Sequence, residues 1–110
     1  MTKPKVAVTI GRSHYDRMFS EQAWQQLEDV STVVHHKGDE PANREELIDL
    51  LPGALACITS WGVAQLDAEV IAAADSLELM SHMGSSVKRF VSDSVWDRGI
   101  RVTSAGITLA

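Results

Sequence analysis

Met83-Gly84-Ser85-Ser86 has the composition of an anion-holding turn. An apolar stretch, Leu77–Ser81, runs into it, and a stretch that can form a helix follows. Backbone N–H groups at the carboxyl end of a strand, just before a helix, receive carboxylates and phosphates in α/β proteins. Each charge-assisted bond of that kind contributes roughly 1.5–3 kcal/mol. His82 stands at the strand end, and Lys88 and Arg89 add positive charge beyond the turn. At about 6 Å and an effective dielectric of about 20, one such cation attracts an anion by roughly 3 kcal/mol, less when exposed. Trp61 follows the preceding apolar stretch, beside Gly62, on the rim where ligands enter such folds. The candidate substrate-binding residues are therefore Gly84, Ser85, Ser86 and Trp61, with His82, Lys88 and Arg89 around them. The bland alternative is an ordinary turn with two solvated bases. No catalytic, cofactor-binding or metal-ligating residue emerges.

Other chemistries lack their residues. Gly11 follows the first apolar run, but Gly11–Asp16 lacks the later glycines of a dinucleotide loop. No phosphate-binding lysine loop and no spaced Cys/His set is present. His35 and His36 are adjacent on an extended stretch, so their side chains point apart and read as ordinary surface histidines. His14 reads as a solvated loop residue. Cys57, the only cysteine, sits in an apolar run and reads as a buried hydrophobe. Trp24 and Trp96 read as packing residues on helices.

The elements that must position the turn alternate regularly. Lys5–Ile10 is a short apolar first strand. Ser20 offers an N-cap for a helix over Glu21–Asp29, with Ala23, Trp24 and Leu27 inward. Thr32–His35 reads as a second strand near an edge. Asn43 and Glu46 form a capping-box pattern for a helix over Arg44–Leu51, stopped by Pro52-Gly53. Ala54–Thr59 is a third, buried strand. Asp67 caps Ala68–Ala74, and Leu77–Ser81 is the fourth strand. Ser92 caps Asp93–Arg98, Gly99 ends that helix, and Arg101–Thr103 is the fifth strand. The dipole of that last helix suits Asp93 and Arg98 at its ends. The alternation predicts one α/β domain over residues 1–110: a flavodoxin-like, parallel five-stranded sheet in the order 2-1-3-4-5, with helices on both faces. Ser104–Ala110 offers no closing helix, so the sheet reads as truncated or completed by another segment, and self-association is expected.

Composition limits the partners. With 110 residues and 45% apolar residues, the chain supports one globular core. Its net charge of −5, without a basic run, argues against nucleic acid. No run approaches the roughly 18 apolar residues of a membrane span. One cysteine and no signal sequence point to the cytoplasm.

Leu77–Ala110 resembles the substrate-binding domain of the D-isomer-specific 2-hydroxyacid dehydrogenases. There a strand leads into a G-x-G-x-D-N-type turn, a short helix, and then R-G-I-x-V before a hinge. The matching residues are Ser81–Arg89 (SHMGSSVKR) and Asp97–Thr103 (DRGIRVT). Cys57–Leu66 and Asp67–Ala74 look like the family's third strand and following helix. Ser86 replaces the second glycine, Lys88 and Arg89 replace the Asp-Asn pair, and Leu109 stands where the hinge usually shows Asn.

The resemblance implies an NAD(P)-dependent oxidoreductase interconverting 2-keto and 2-hydroxy acids. In that family a separate Rossmann domain binds NAD(H) or NADP(H) and supplies the catalytic Arg, Glu and His. None of these is assignable here, so this chain is expected to bind no cofactor and to lack turnover alone. Its share is to hold a small 2-keto or 2-hydroxy carboxylate on the amides of Ser85 and Ser86. The alternative is a stand-alone flavodoxin-like module that binds a small anion or a protein partner. A phosphorylatable receiver is disfavoured, because Gly11-Arg12-Ser13 and Thr59-Ser60-Trp61 contain no acid.

Overall fold

The computed structural model describes residues 3–11, 20–60, 63–82 and 91–104 of the chain. Five parallel strands form one sheet in the order β2-β1-β3-β4-β5. They are β1 (Lys5–Val8), β2 (Thr32–His35), β3 (Ala54–Thr59), β4 (Leu79–His82) and β5 (Arg101–Ser104). Among the described residues four helices lie between them: α1 (Glu21–Val30), α2 (Arg44–Leu50), α3 (Ala68–Ala73) and α4 (Asp93–Asp97). The expected strand order, parallel pairing and α/β class are those observed.

Local chemistry sets most of the helix starts. Ser20 accepts from the Ala23 amide, and Asp67 accepts from the Val70 amide. Asn43 and Glu46 form the full reciprocal box at α2, at 2.9 and 3.1 Å. Gly53 and Gly99 take φ of +80° and +71°, the left-handed region where a side chain is penalised. Ser92 departs from expectation. It makes no side-chain cap, and its hydroxyl instead donates to the Leu66 carbonyl at 2.6 Å. That bond reinforces a parallel bridge between Leu66 and Val91.

One face of the sheet carries the main core. Ala7, Cys57 and Met80 from the central strands meet Leu47 and Leu51 around α2, Val70 and Ile71 of α3, and Val95 of α4. Each fully buried aliphatic side chain contributes roughly 1.5–3 kcal/mol before entropy. Arg98 also departs from expectation. Its guanidinium reaches away from α4 to the carbonyls of Ile71 at 2.8 Å and Ala74 at 3.0 Å. It thereby satisfies the open carboxyl end of α3, where unpaired carbonyls and the dipole attract a cation.

Helix α1 buries no residue completely; Ala23, Trp24 and Leu27 are only half-covered. It packs on the edge strand β2, which offers little surface. Trp96 is 55% exposed, so it is not the packing residue that its helical position suggested. Leu55 is also exposed, although it lies two residues from the buried Cys57. The register of β3 against β1 shifts at that end, between Lys5 and Val6, which breaks the simple alternation.

Candidate functional site at the carboxyl edge of the sheet

Strands β1 and β3 are neighbours, and their crossovers leave in opposite directions. The space beyond their carboxyl ends is where doubly wound sheets bind ligands. Here the chain itself fills the β1 side. The amide and hydroxyl of Thr9 both point at the Ile58 carbonyl, at 3.0 and 2.9 Å. The Thr9 carbonyl accepts from Ala42 at 3.1 Å, and the Ala42 carbonyl accepts from Ala64 at 3.2 Å. Loops from three strands are thus laced together. A methyl group on Gly11 would stand 2.3 Å from the Asp39 carbonyl oxygen. Gly11 is therefore the floor under residues 39 and 40, and only a residue without a side chain fits there.

The two histidines expected on the surface help to hold this loop. His36 is buried, with Nε2 3.0 Å from the Glu40 carbonyl and Nδ1 3.3 Å from the Glu46 carboxylate. That carboxylate also closes the α2 capping box through its other oxygen. His35 places Nε2 3.2 Å from the Ile10 carbonyl and meets Trp24 edge-on, with ring centroids 5.4 Å apart. The adjacent rings do diverge, as extended backbone requires, but each finds its own partner.

The β3–β4 side is built differently. Thr59 and His82 are opposite one another in the last pair of the β3–β4 ladder. Their side chains meet, Thr59 Oγ1 lying 2.8 Å from His82 Nδ1. Exposure is 0% for Thr59 and 1% for His82, so the pair lies beneath the rim. Burial pushes the His82 pKa below its ordinary 6.5, because the charged ring would lose its hydration. Ser60, also buried, continues the chain beyond β3. Thr59 was not among the residues expected at this edge. Counting β3 and β4 from their apolar starts to their last residues would have paired it with His82.

Of the residues expected to form the site, only His82 is described, and it is buried at the strand end. Gly84, Ser85, Ser86, Trp61, Lys88 and Arg89 lie outside the described residues, as does His14. Strand β4 ends at His82, and Val91 forms a parallel bridge with Leu66.

Charged groups elsewhere are committed to structure. Arg44 pairs with Asp67 at 2.7 Å and Glu69 at 2.8 Å, joining the starts of α2 and α3. The Arg44 contact holds the Asp67 carboxyl below the usual carboxylate range. The Gly53 amide, 2.9 Å from the Asp75 carboxylate, does the same for Asp75. Desolvation pushes the Cys57 thiol up to about 12, so it is protonated and inert. Among the described residues no group of three metal-ligating side chains comes together, and no helix is long and apolar enough to cross a membrane. A groove of about 570 Å³ lined by Leu55, Leu79 and Arg101 opens at the amino-terminal ends of β3–β5. It lies at the opposite end of the strands from the residues above.

No protein-family model matches the chain, and no curated protein matches it significantly. Solved structures do match. The PH0520 protein from Pyrococcus horikoshii OT3 aligns with a TM-score of 0.73 and 22% identity, over 94% of this chain and 28% of its own. An acyclic imino acid reductase, Bsp5, solved with NADPH and D-Arg, aligns with a TM-score of 0.72 and 16% identity over 92% and 30% of the two chains. A phosphoglycerate oxidoreductase from Rhizobium etli gives 0.70 and 19% over 94% and 31%. The chain thus spans about 30% of the length of the solved chains it matches. At these identities the likeness is one of fold: the chain has the flavodoxin-like α/β fold of a segment of those proteins, in agreement with the resemblance drawn from its sequence.

Proposed function

We propose that the chain is the substrate-binding portion of an NAD(P)-dependent oxidoreductase of the D-2-hydroxyacid dehydrogenase type. Its role is to hold a small 2-keto or 2-hydroxy carboxylate, and it does not turn over alone. The observation that carries this reading is the placement of β4. The strand ends at His82 on the carboxyl edge, beside the end of β3, which is the edge where this fold binds anions, and Gly84-Ser85-Ser86 follows shortly after it in sequence. The amides of Ser85 and Ser86 take the carboxylate, Trp61 shapes the neighbouring rim, and Lys88 and Arg89 supply attraction. The described residues contain no nucleotide cradle at Gly11, whose space is taken by residues 39 and 40. The dinucleotide and the catalytic Arg, Glu and His belong to a second, Rossmann domain, with which this one forms the complete site. Two of the matched proteins are named for redox reactions on other small carboxylates, an imino acid and a phosphoglycerate.

The test is to titrate pyruvate or glyoxylate into isotopically labelled protein and follow the backbone amides. Shifts centred on residues 84–86 at millimolar ligand are expected, with no NADH oxidation. Shifts confined elsewhere, or none, refute the reading. Absence of yellow colour in the purified protein is expected too, since a bound flavin would favour the stand-alone module.

A further inference from the structure

Parallel sheets are ordinarily covered on both faces. Here right-handed crossovers put α2, α3 and α4 on one face, because from β2 onward the chain always steps toward β5. Only the step from β1 to β2 runs the other way. It sends α1 to the opposite face, where the helix packs on β2. On that opposite face cover falls away along each row of register partners. Val6 is buried, Ala56 and Leu79 are half-buried, and Arg101 is exposed. In the next row Val8 is buried, Ile58 and Ser81 are half-buried, and Thr103 is exposed. The bare part runs down into the groove of about 570 Å³, whose lining takes Ala56, Leu79 and Arg101 from the first row together with the exposed Leu55.

Charge on the rim of the groove says what fits it. Glu78 and Arg101 both line it, and both are exposed. The Arg101 amide donates to the Glu78 carbonyl at 2.9 Å, so the two residues are neighbours across β4 and β5. Among the described residues neither side chain makes an ion pair or a hydrogen bond. Arg98, the other cation there, is already committed to the carboxyl end of α3. An acidic partner would attract Arg101 and repel Glu78, and a basic partner would do the reverse. One unpaired charge of each sign beside an apolar floor makes a surface complementary to itself. Turned about a two-fold axis, each Arg101 meets the partner's Glu78. We propose that this face is the contact between two copies of the chain, with Leu55 and Leu79 at its centre and two reciprocal Arg101–Glu78 pairs at its rim. Apolar contact supplies the attraction, against the mutual repulsion of two chains of charge −5, and the rim pairs set the register. The contact centres on the amino-terminal ends of the strands, away from the carboxyl edge, so it does not rest on the carboxylate reading.

The test is analytical sedimentation of the whole 110-residue chain over a wide range of concentration. The apparent mass is expected to rise from 12.0 kDa toward twice that value. Arg101→Glu and Glu78→Arg are each expected to weaken association about tenfold, because a two-fold contact loses two rim pairs at once. The double variant exchanges the two charges and is expected to regain the native affinity. Both positions are exposed, so the variants keep the fold, which circular dichroism checks. A native mass that stays at 12.0 kDa up to millimolar concentration overturns the proposal without any variant, and leaves the face to a different protein or to none. A dimer whose affinity neither single variant changes, or the double variant does not regain, overturns this face as the contact.

Discussion

Replacing Gly11 with alanine tests whether the β1 side of the carboxyl edge is closed by the chain or open to a ligand. The added Cβ would lie 2.3 Å from the Asp39 oxygen and 2.6 Å from the Glu40 carbonyl carbon, where ordinary contact begins at 3.4 Å. Residues 39 and 40 must then retreat by about 1 Å, since main chain cannot rotate aside as a side-chain tip can. That retreat strains two bonds, His36 Nε2 to the Glu40 carbonyl at 3.0 Å and Ala42 to the Thr9 carbonyl at 3.1 Å. Overpacking of this kind costs about 1–3 kcal/mol. Each weakened bond adds roughly 0.5–1.5 kcal/mol. A total near 2–6 kcal/mol is a large share of the 5–15 kcal/mol or so that holds a domain together. Urea unfolding is the assay: the midpoint should fall with the slope unchanged, because the exposed surface is the same. A loss below about 0.5 kcal/mol, the usual range for an uncrowded surface site, would show that residues 39 and 40 do not rest on Gly11. The crevice over β1 would then be open, and a ligand there would return to consideration.

Two further outcomes follow from burial. Because the His82 pKa is lower in the folded chain than in the unfolded one, the unfolded state binds the extra proton as pH falls through the usual histidine range. That component of stability is fully present above about 6.5 and is lost below it; the pH dependence of urea midpoints should therefore flatten in His82→Gln, and identical profiles would contradict it. Cys57, held protonated with its pKa near 12, should resist thiol reagents at pH 8 in the native chain and react at once in denaturant. Rapid native labelling would mean that the sheet opens around β3.

The fold implied by the resemblance in Ser81–Arg89 and Asp97–Thr103 agrees with the structure because it rests on local signals. The apolar runs, the Asn43–Glu46 box, the Asp67 cap and the glycine at 99 each act within a few residues of themselves, so spacing along the chain reveals them. Parallel order then follows from alternation and from the handedness of crossovers. The same local reading named a turn at Gly84–Ser86 and placed His82 at its root.

Side-chain partnerships far apart in sequence were decided only by the tertiary structure. Arg98 serves α3 and not its own helix, because the nearest open carbonyls belong to residues 71 and 74. Ser92 abandons its cap for Leu66, 26 residues away. His36 leaves solvent because β2 and α2 bring Glu46 to it. Thr59 and His82, 23 residues apart, meet only because the β3–β4 register sets one opposite the other. Sequence alone determined which segments are strands and helices and in what order they alternate. Burial and register, which depend on how the strands stack, decided that β4 ends on a buried histidine that meets Thr59.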